Sequence, residues 1–94
     1  MARILAISSQ VAFGHVGLSA IVPALQRLGH EVIVVPTVVL SNHYGYETVG
    51  GLHIEPDAFT SILAALQSNG WLDGLDALIT GYMPSVRHVE VVAR

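Results

Sequence analysis

The stretch Gly29-His30-Glu31-Val32-Ile33-Val34-Val35-Pro36-Thr37 carries the clearest structural signal in this chain of 94 residues. Its residues 32–35 are all β-branched and apolar, without alternation of polar and apolar positions. A strand that is apolar on both faces is typical of a parallel sheet covered by helices on both sides. We therefore predict a central parallel strand over Glu31–Thr37 in an α/β fold.

A first strand and a helix are predicted before this central strand. The apolar run Arg3–Ser8 has the form of a buried strand. Apolar residues recur at helical spacing over residues 16–28, and Gly29 suits a left-handed cap at the helix end. Because Pro23 cannot donate a backbone hydrogen bond, we expect this helix to kink or to begin near Leu18. The stripe expected to face the sheet consists of Val16, Ala20, Ala24 and Leu28, widened by Ile21 and Leu25.

A second helix and a third strand are predicted after the central strand. Pro56 is suited to a helix start and Asn69-Gly70 to a helix end. The apolar face of this helix is predicted to hold Phe59, Ile62, Leu63 and Leu66. The run Leu75–Ile79 is the third strand, and the alternation of strand, helix and strand favours a right-handed βαβ unit.

Two segments do not fit a minimal βαβ pattern. Residues 38–55 are longer than a usual βα connection, which indicates a lid or binding loop, with a possible short hairpin around residues 48–54. Residues 84–94 carry Val86, Val89 and Ala93 on a helical stripe. No further strand follows for that helix to cover, so we expect the chain to be the front part of a larger sheet, the alternative being a frayed last helix in a complete small domain.

Composition limits the classes of function. The net charge is −3 with four Lys and Arg in total, which gives no basic surface for nucleic acid. The absence of cysteine excludes disulfides and thiolate metal sites and fits a cytoplasmic protein. We expect neither a secretory signal nor a membrane span. The chain is 52% hydrophobic and only 12% charged, so we expect part of its surface to be covered by something other than water.

Polar residues follow each of the three predicted parallel strands. They lie at 8–17, at 41–46 and at 80–82. Ligands in open parallel α/β sheets bind at the carboxyl ends of the strands, so these segments should face one crevice. Hydroxyl and imidazole groups there would suit a small ring with polar substituents. Ser9 capping the following turn and Tyr82 packing with its hydroxyl in water are the alternatives.

The histidines form no pattern typical of a metal site. None has an H-x-x-x-H spacing with a third ligand, so we predict no metal ligands in this segment. His43 is the best candidate among them for ligand contact and His15 a weaker one. His30, His53 and His88 are predicted to be exposed.

In order, the three polar segments resemble the N-terminal portion of pyridoxal kinases, in the ribokinase-like superfamily. Ile7-Ser8-Ser9-Gln10-Val11-Ala12-Phe13-Gly14-His15-Val16-Gly17 is similar to the family's S-x-Q-S-H-V-x-x-G-x-V-G. Leu40-Ser41-Asn42-His43-Tyr44-Gly45-Tyr46 is similar to F-S-N-H-T-x-Y, and Thr80-Gly81-Tyr82 to T-G-Y. The resemblance implies a three-layer αβα Rossmann-like ribokinase fold with a mostly parallel sheet, residues 1–94 being the N-terminal, substrate-side part of one kinase domain.

The same resemblance implies a set of substrate-binding residues: Ser9, Val16, Leu40, His43, Tyr44 and Tyr82. Ser9 would meet the ring or phenolic edge of pyridoxal, and Val16 would lie against the ring. Tyr44 stands where the family usually has threonine, and Leu40 replaces an aromatic wall residue.

As a kinase, the protein would transfer the γ-phosphoryl group of ATP, with Mg²⁺, to the 5′-hydroxyl of pyridoxal. The family's catalytic aspartate lies in a G-x-G-D turn, which these residues lack. The resemblance therefore implies no catalytic residue in this segment, an ATP site beyond it, and a cytoplasmic homodimer for the full-length protein. Asp57, Asp73 and Asp76 are predicted to lie away from the strand ends.

Two other functions remain open from the sequence. Gly14-His15-Val16-Gly17 and Gly29-His30-Glu31-Val32 also resemble the start of nucleotide-sugar glycosyltransferases, although Leu18 stands where their proline would be. A non-catalytic α/β module that binds a partner through an uncovered sheet edge is the third possibility.

Overall fold

The structure is a computed structural model that describes the backbone of residues 1–93 and the side chains of residues 1–92. Its elements in chain order are β1 (Arg3–Val11), α1 (Leu18–Arg27), β2 (Glu31–Leu40), β3 (Gly51–His53), α2 (Pro56–Ser68), β4 (Ala77–Thr80) and α3 (Val86–Ala93). The sheet order is β3-β2-β1-β4, with β1 parallel to β2 and β4, and β3 antiparallel to β2. The predicted α/β fold with a mostly parallel sheet is confirmed.

Two strands extend further than the sequence predicts. The first strand reaches Val11 rather than Ser8, and the central strand reaches Leu40 rather than Thr37. The expected hairpin exists, because β3 pairs with Val38–Leu40. The connection between β2 and β3 is therefore residues 41–50, which is shorter than the predicted loop over 38–55. The strand predicted as the third begins at Ala77 and is the fourth in the sheet.

The helices cover both faces of the sheet. On one face, Phe59 of α2 is fully buried against Leu5, Ile7 and Val35. Side chains alternate along a strand, so Gln10 lies on the face opposite Leu5 and Ile7. There its amide donates to Ser19 Oγ of α1 over 2.9 Å. The layers are therefore α1, the sheet, and then α2 with α3.

Helix α1 begins at Leu18, one of the two outcomes expected from Pro23, and Gly29 has φ 86° after its end. The predicted inner stripe of this helix is wrong in its main positions, although Ile21 and Leu25, which were predicted to widen it, do face the sheet. Leu28 is 73% exposed, and Ala20 and Ala24 are exposed as well. The residues that face the sheet are Leu18, Ile21, Val22 and Leu25. Helix α2 begins with Pro56 at its first turn and is capped at Asn69, as predicted, although Ile62 lies at the edge of the buried face.

The predicted face of α3 is also wrong. Val86 and Val89 are 72% and 50% exposed, and the side chain of Ala93 lies outside the described residues. The inner face holds Val91, Val92 and His88, and the helix packs beside α2. His88 is buried, against the expectation that it is exposed. His30 is half-buried rather than exposed, since Ala2 N donates to its Nδ1 over 3.0 Å, whereas His53 is exposed as predicted.

Candidate functional site

The carboxyl end of β1 meets the start of α1 at Gly17. This glycine has φ 54°, and a Cβ there would lie 2.4 Å from both the carbonyl oxygen and the Oγ of Ser9. Glycine is thus required for the helix to start directly over Ser9. No side-chain hydrogen bond caps α1, which does not support Ser9 as a cap. Among the described residues nothing hydrogen-bonds to the Ser9 hydroxyl, so it is available to a ligand.

An irregularity in β2 decides which side chains face the same region. Ser8 pairs with Pro36 and Ser9 with Val38, so Thr37 is an extra residue in the strand. Such a bulge shifts the alternation of side chains by one position. Leu40 therefore faces the side of Ser9 and is buried, whereas Val39 faces the other side and is 40% exposed.

The connection 41–50 is held by its own polar side chains. Asn42 Nδ2 donates to the carbonyl oxygens of His43 (3.0 Å) and Thr48 (3.2 Å). Ser41 Oγ donates to Asn42 Oδ1 over 2.6 Å and accepts from Gly50 N over 3.1 Å. Because these bonds cross the loop, its backbone is fixed near β2 and β3 and presents the side chains of residues 43 and 44.

His43 and Tyr44 are oriented by specific contacts. His43 Nδ1 accepts from Gly45 N over 2.9 Å. In a neutral imidazole the other nitrogen, Nε2, then carries the proton and can donate to a ligand. The hydroxyl of Tyr44 lies 3.3 Å from His53 Nε2, and the Tyr44 ring lies 6.4 Å from the ring of Tyr82, centroid to centroid.

The segment after β4 brings Tyr82 to the same place. Gly81 N donates to the Ile7 carbonyl over 2.8 Å, and a Cβ on Gly81 would lie 2.2 Å from Ser8 Oγ. Only glycine lets this segment pass so close to β1. The Tyr82 carbonyl accepts from Thr37 Oγ1 over 2.7 Å.

These elements enclose a cavity of about 200 Å³, which we call the strand-end cavity. Its lining consists of Ser9, Val11, Val16, Leu40, His43, Tyr44 and Tyr82. All six residues selected from the sequence are therefore brought together. The volume is below the roughly 300–1,000 Å³ of drug-sized sites, so the cavity suits a single small ring. Aliphatic and aromatic walls, the Ser9 hydroxyl and one imidazole N–H can hold such a ring and bond its edge.

The sequence reasoning missed three residues at or near this cavity. Val11 lines it because β1 is longer than predicted. Thr37 and His88 are buried polar residues whose hydrogen bonds run to the segment that carries Tyr82. The only sequence signal for Thr37 was a polar residue after an unbroken apolar run, and nothing in the sequence distinguished His88.

The described residues offer no metal site and no carboxylate near the cavity. They contain no group of three or more His, Asp or Glu side chains able to hold a metal ion. No carboxylate is among the lining residues. Asp57 faces Arg87 and Asp76 accepts from Arg3 N, both away from the cavity. In the part of the chain described here, no helix has the length and apolarity that crossing a membrane requires.

Pyridoxal kinases match this chain in sequence. The pyridoxal kinase of Leifsonia xyli is 45% identical over 83 residues, which cover 88% of this chain and 29% of that protein. The pyridoxal kinase of Corynebacterium diphtheriae is 44% identical over 90 residues, which cover 96% of this chain and 32% of that protein. The chain thus spans about a third of the length of the curated relatives it matches. No family model matches it.

Solved structures of pyridoxal kinases have the same fold over this segment. The enzyme of Leishmania donovani, in complex with ADP and pyridoxine, has a TM-score of 0.93 and 36% identity, covering 97% of this chain and 32% of that one. The enzyme of Entamoeba histolytica with PLP has a TM-score of 0.93 and 35% identity, covering 98% of this chain and 34% of that one. Over nearly its whole length the chain is similar in sequence to part of these pyridoxal kinases and has their ribokinase-like fold.

Proposed function

We propose that this chain, which matches the N-terminal third of pyridoxal kinases, is the substrate-side part of a kinase domain that phosphorylates the 5′-hydroxyl of pyridoxal. The observation that carries the proposal is the strand-end cavity, where six residues from three separate chain segments converge. Its size suits a pyridine ring, and related enzymes have been solved with pyridoxine and with PLP.

Each lining residue has a part in the proposed binding mode. The Ser9 hydroxyl bonds the ring nitrogen or the phenolic edge, and His43 Nε2 donates to an oxygen on the ring. Val16 and Leu40 cover the ring with apolar surface, and the rings of Tyr44 and Tyr82 form the facing walls. Together these contacts fix which substituent of the ring points out of the cavity, which is what phosphoryl transfer demands of the substrate side.

The nucleotide side of the reaction is not assigned to these residues. A solved relative contains ADP, and the proposed reaction uses ATP with Mg²⁺. The described residues do not fit either group, because they provide neither a carboxylate cluster nor a glycine-rich phosphate loop. No step of the transfer is therefore derived from this chain beyond holding and orienting pyridoxal.

A cytoplasmic homodimer is part of the same proposal. The absence of cysteine agrees with a reducing compartment. Light scattering on the protein expressed from its complete reading frame tests the assembly, and a single protomer at micromolar concentration would refute it.

The deciding experiment is ATP-dependent formation of pyridoxal 5′-phosphate by the protein expressed from its complete reading frame. We expect turnover there and none from the 94-residue chain alone. Ser9→Ala should raise KM for pyridoxal about tenfold through loss of a hydrogen bond at the ring. Ser61→Ala, on the exposed face of α2, is the matched control and should behave as the unaltered protein.

Two results would contradict the proposal. Pyridoxal left unchanged by the complete protein would remove the kinase function. Turnover by the 94 residues alone, abolished by Ser9→Ala, would show that these residues also bind the nucleotide.

A further inference from the structure

Two buried polar side chains, Thr37 and His88, do not line the strand-end cavity. Thr37 is fully buried at the β2 bulge, and His88 is 2% exposed on the inner face of α3. Buried polar groups are costly unless they are hydrogen-bonded. Both residues are bonded, and the bonds run to the segment that carries Tyr82.

The hydrogen bonds form a closed network. Thr37 Oγ1 donates to the Tyr82 carbonyl over 2.7 Å, and Ile54 N donates to the Thr37 carbonyl over 2.9 Å. His88 Nε2 lies 2.6 Å from the Ile54 carbonyl. Since a carbonyl only accepts, Nε2 carries the proton, and in the neutral ring Nδ1 accepts from Ser85 Oγ over 2.6 Å. Ser85 belongs to the same segment as Tyr82, so the backbone of residues 82–85 closes the network.

This hydrogen-bonded network also contacts the hydrophobic core. The Phe59 ring packs on the His88 ring at a centroid distance of 5.2 Å. Ser85 Oγ also accepts from His88 N over 3.3 Å, so its donor and acceptor capacities are both used. A buried polar network with every member bonded fixes one arrangement of the backbone, because any displacement leaves a group unpaired.

Tyr82 depends on this anchoring. Its side chain is 44% exposed, and its hydroxyl has no hydrogen-bond partner among the described residues. The position of its ring at the cavity wall is therefore set by its backbone, which Gly81 N fixes on one side and the Thr37 bond on the other.

We propose that Thr37 and His88 are positioning residues that hold Tyr82 against the bound pyridoxal ring without touching the ligand themselves. This inference rests on the proposed function. It assigns the β2 bulge a role in binding, since the bulge is what places the Thr37 hydroxyl next to the Tyr82 carbonyl.

The test measures pyridoxal binding by isothermal titration calorimetry, with the protein expressed from its complete reading frame. Thr37→Val removes the hydroxyl at nearly constant volume and should weaken pyridoxal about five- to tenfold. Thr37→Ser keeps the hydroxyl and should bind as the unaltered protein does. Thr37→Val with unchanged affinity would overturn the inference, while binding by the unaltered protein would leave the proposed function standing.

A double-substitution cycle separates positioning from general damage. If Thr37 acts through Tyr82, Thr37→Val should lose its effect on pyridoxal affinity once Tyr82→Ala is present. Equal weakening with and without Tyr82→Ala would mean that Thr37 supports the fold in general, and would overturn the inference.

The His88 arm uses rescue by a conservative variant. His88→Leu removes both ring nitrogens and should weaken pyridoxal binding, whereas the amide of His88→Gln can still donate to the Ile54 carbonyl and should restore most of the affinity. Ser85→Ala interrupts the same hydrogen-bonded network at a half-buried position. The substitution is therefore less apt to unfold the protein, and it should also weaken pyridoxal binding. Full affinity in Ser85→Ala, or no rescue by His88→Gln, would remove His88 from the proposal. If the unaltered protein binds no pyridoxal, the proposed function itself fails.

Discussion

Gly81 lets the Tyr82 segment cross β1 at a distance that no other residue allows. Its backbone N–H bonds to Ile7, and the Cβ of any other residue would lie 2.2 Å from Ser8 Oγ. Gly17 likewise lies so close to Ser9 that no side chain would fit there. The absence of a side chain at these two positions thus lets the start of α1 and the Tyr82 segment both approach β1 closely.

Gly81→Ala is expected to destabilise the protein by about 1–3 kcal/mol, because the added methyl forces β1 and the Tyr82 segment apart. Gly50→Ala is the matched control: nothing lies within 4 Å of a Cβ there, so its change in unfolding free energy should stay within about 0.5 kcal/mol. Urea unfolding of both variants measures the difference. Equal midpoints would show that the contact with Ser8 relaxes at no cost.

At the scale of elements, the β2 bulge has the largest effect on the site. Without Thr37 as an extra residue, Val39 rather than Leu40 would face the cavity. The bulge leaves no signature in the sequence, because residues 38–40 are apolar at every position and suit either register.

Leu40→Ala and Val39→Ala test this register directly. Leu40 is 7% exposed and lines the cavity, so its truncation should cost about 2–4 kcal/mol and weaken pyridoxal binding. Val39 is 40% exposed, so its truncation should cost less than about 1 kcal/mol. Thermal and chemical unfolding measure both. The reverse order of costs would place Val39 inside and refute the register.

The elements also show where sequence reasoning works and where it stops. The unbroken apolar run at 32–35 and the Pro56 helix start are local signals, and both elements begin where they were predicted to begin. The prediction for the inner face of α1 was wrong at Ala20 and Ala24, because alanines fit either side of a helix and only packing selects Leu18 and Val22. The prediction that His88 is exposed was wrong because the fold brings its two hydrogen-bond partners, Ile54 and Ser85, next to it.

For the molecule as a whole, apolar surface remains uncovered. A groove of about 420 Å³ lies between α2, α3 and the sheet, and Leu63, Leu78, Val91 and Val92 are among its lining residues. Leu78 on the edge strand β4 is 48% exposed. This agrees with the high hydrophobic content read from the sequence.

We expect the 94-residue chain to bind a hydrophobic dye such as anilinonaphthalene sulfonate in this groove. Leu78→Glu should lower the dye fluorescence, because its carboxylate places a negative charge in the groove and repels the sulfonate of the dye. Val39→Glu, which adds the same charge at a similarly exposed position outside the groove, should leave the fluorescence unchanged. Equal fluorescence from the two variants would show that the dye binds elsewhere.

The strand-end cavity takes Ser9 from near the beginning of the chain and Tyr82 from near its end. Those walls meet only after β1, β2 and β4 have paired, so an unfolded chain has nothing for pyridoxal to bind. A ligand that binds only the native state shifts the folding equilibrium by mass action. Under the proposed function, pyridoxal would therefore also stabilise the folded protein, and adding it should slow the proteolysis of the protein.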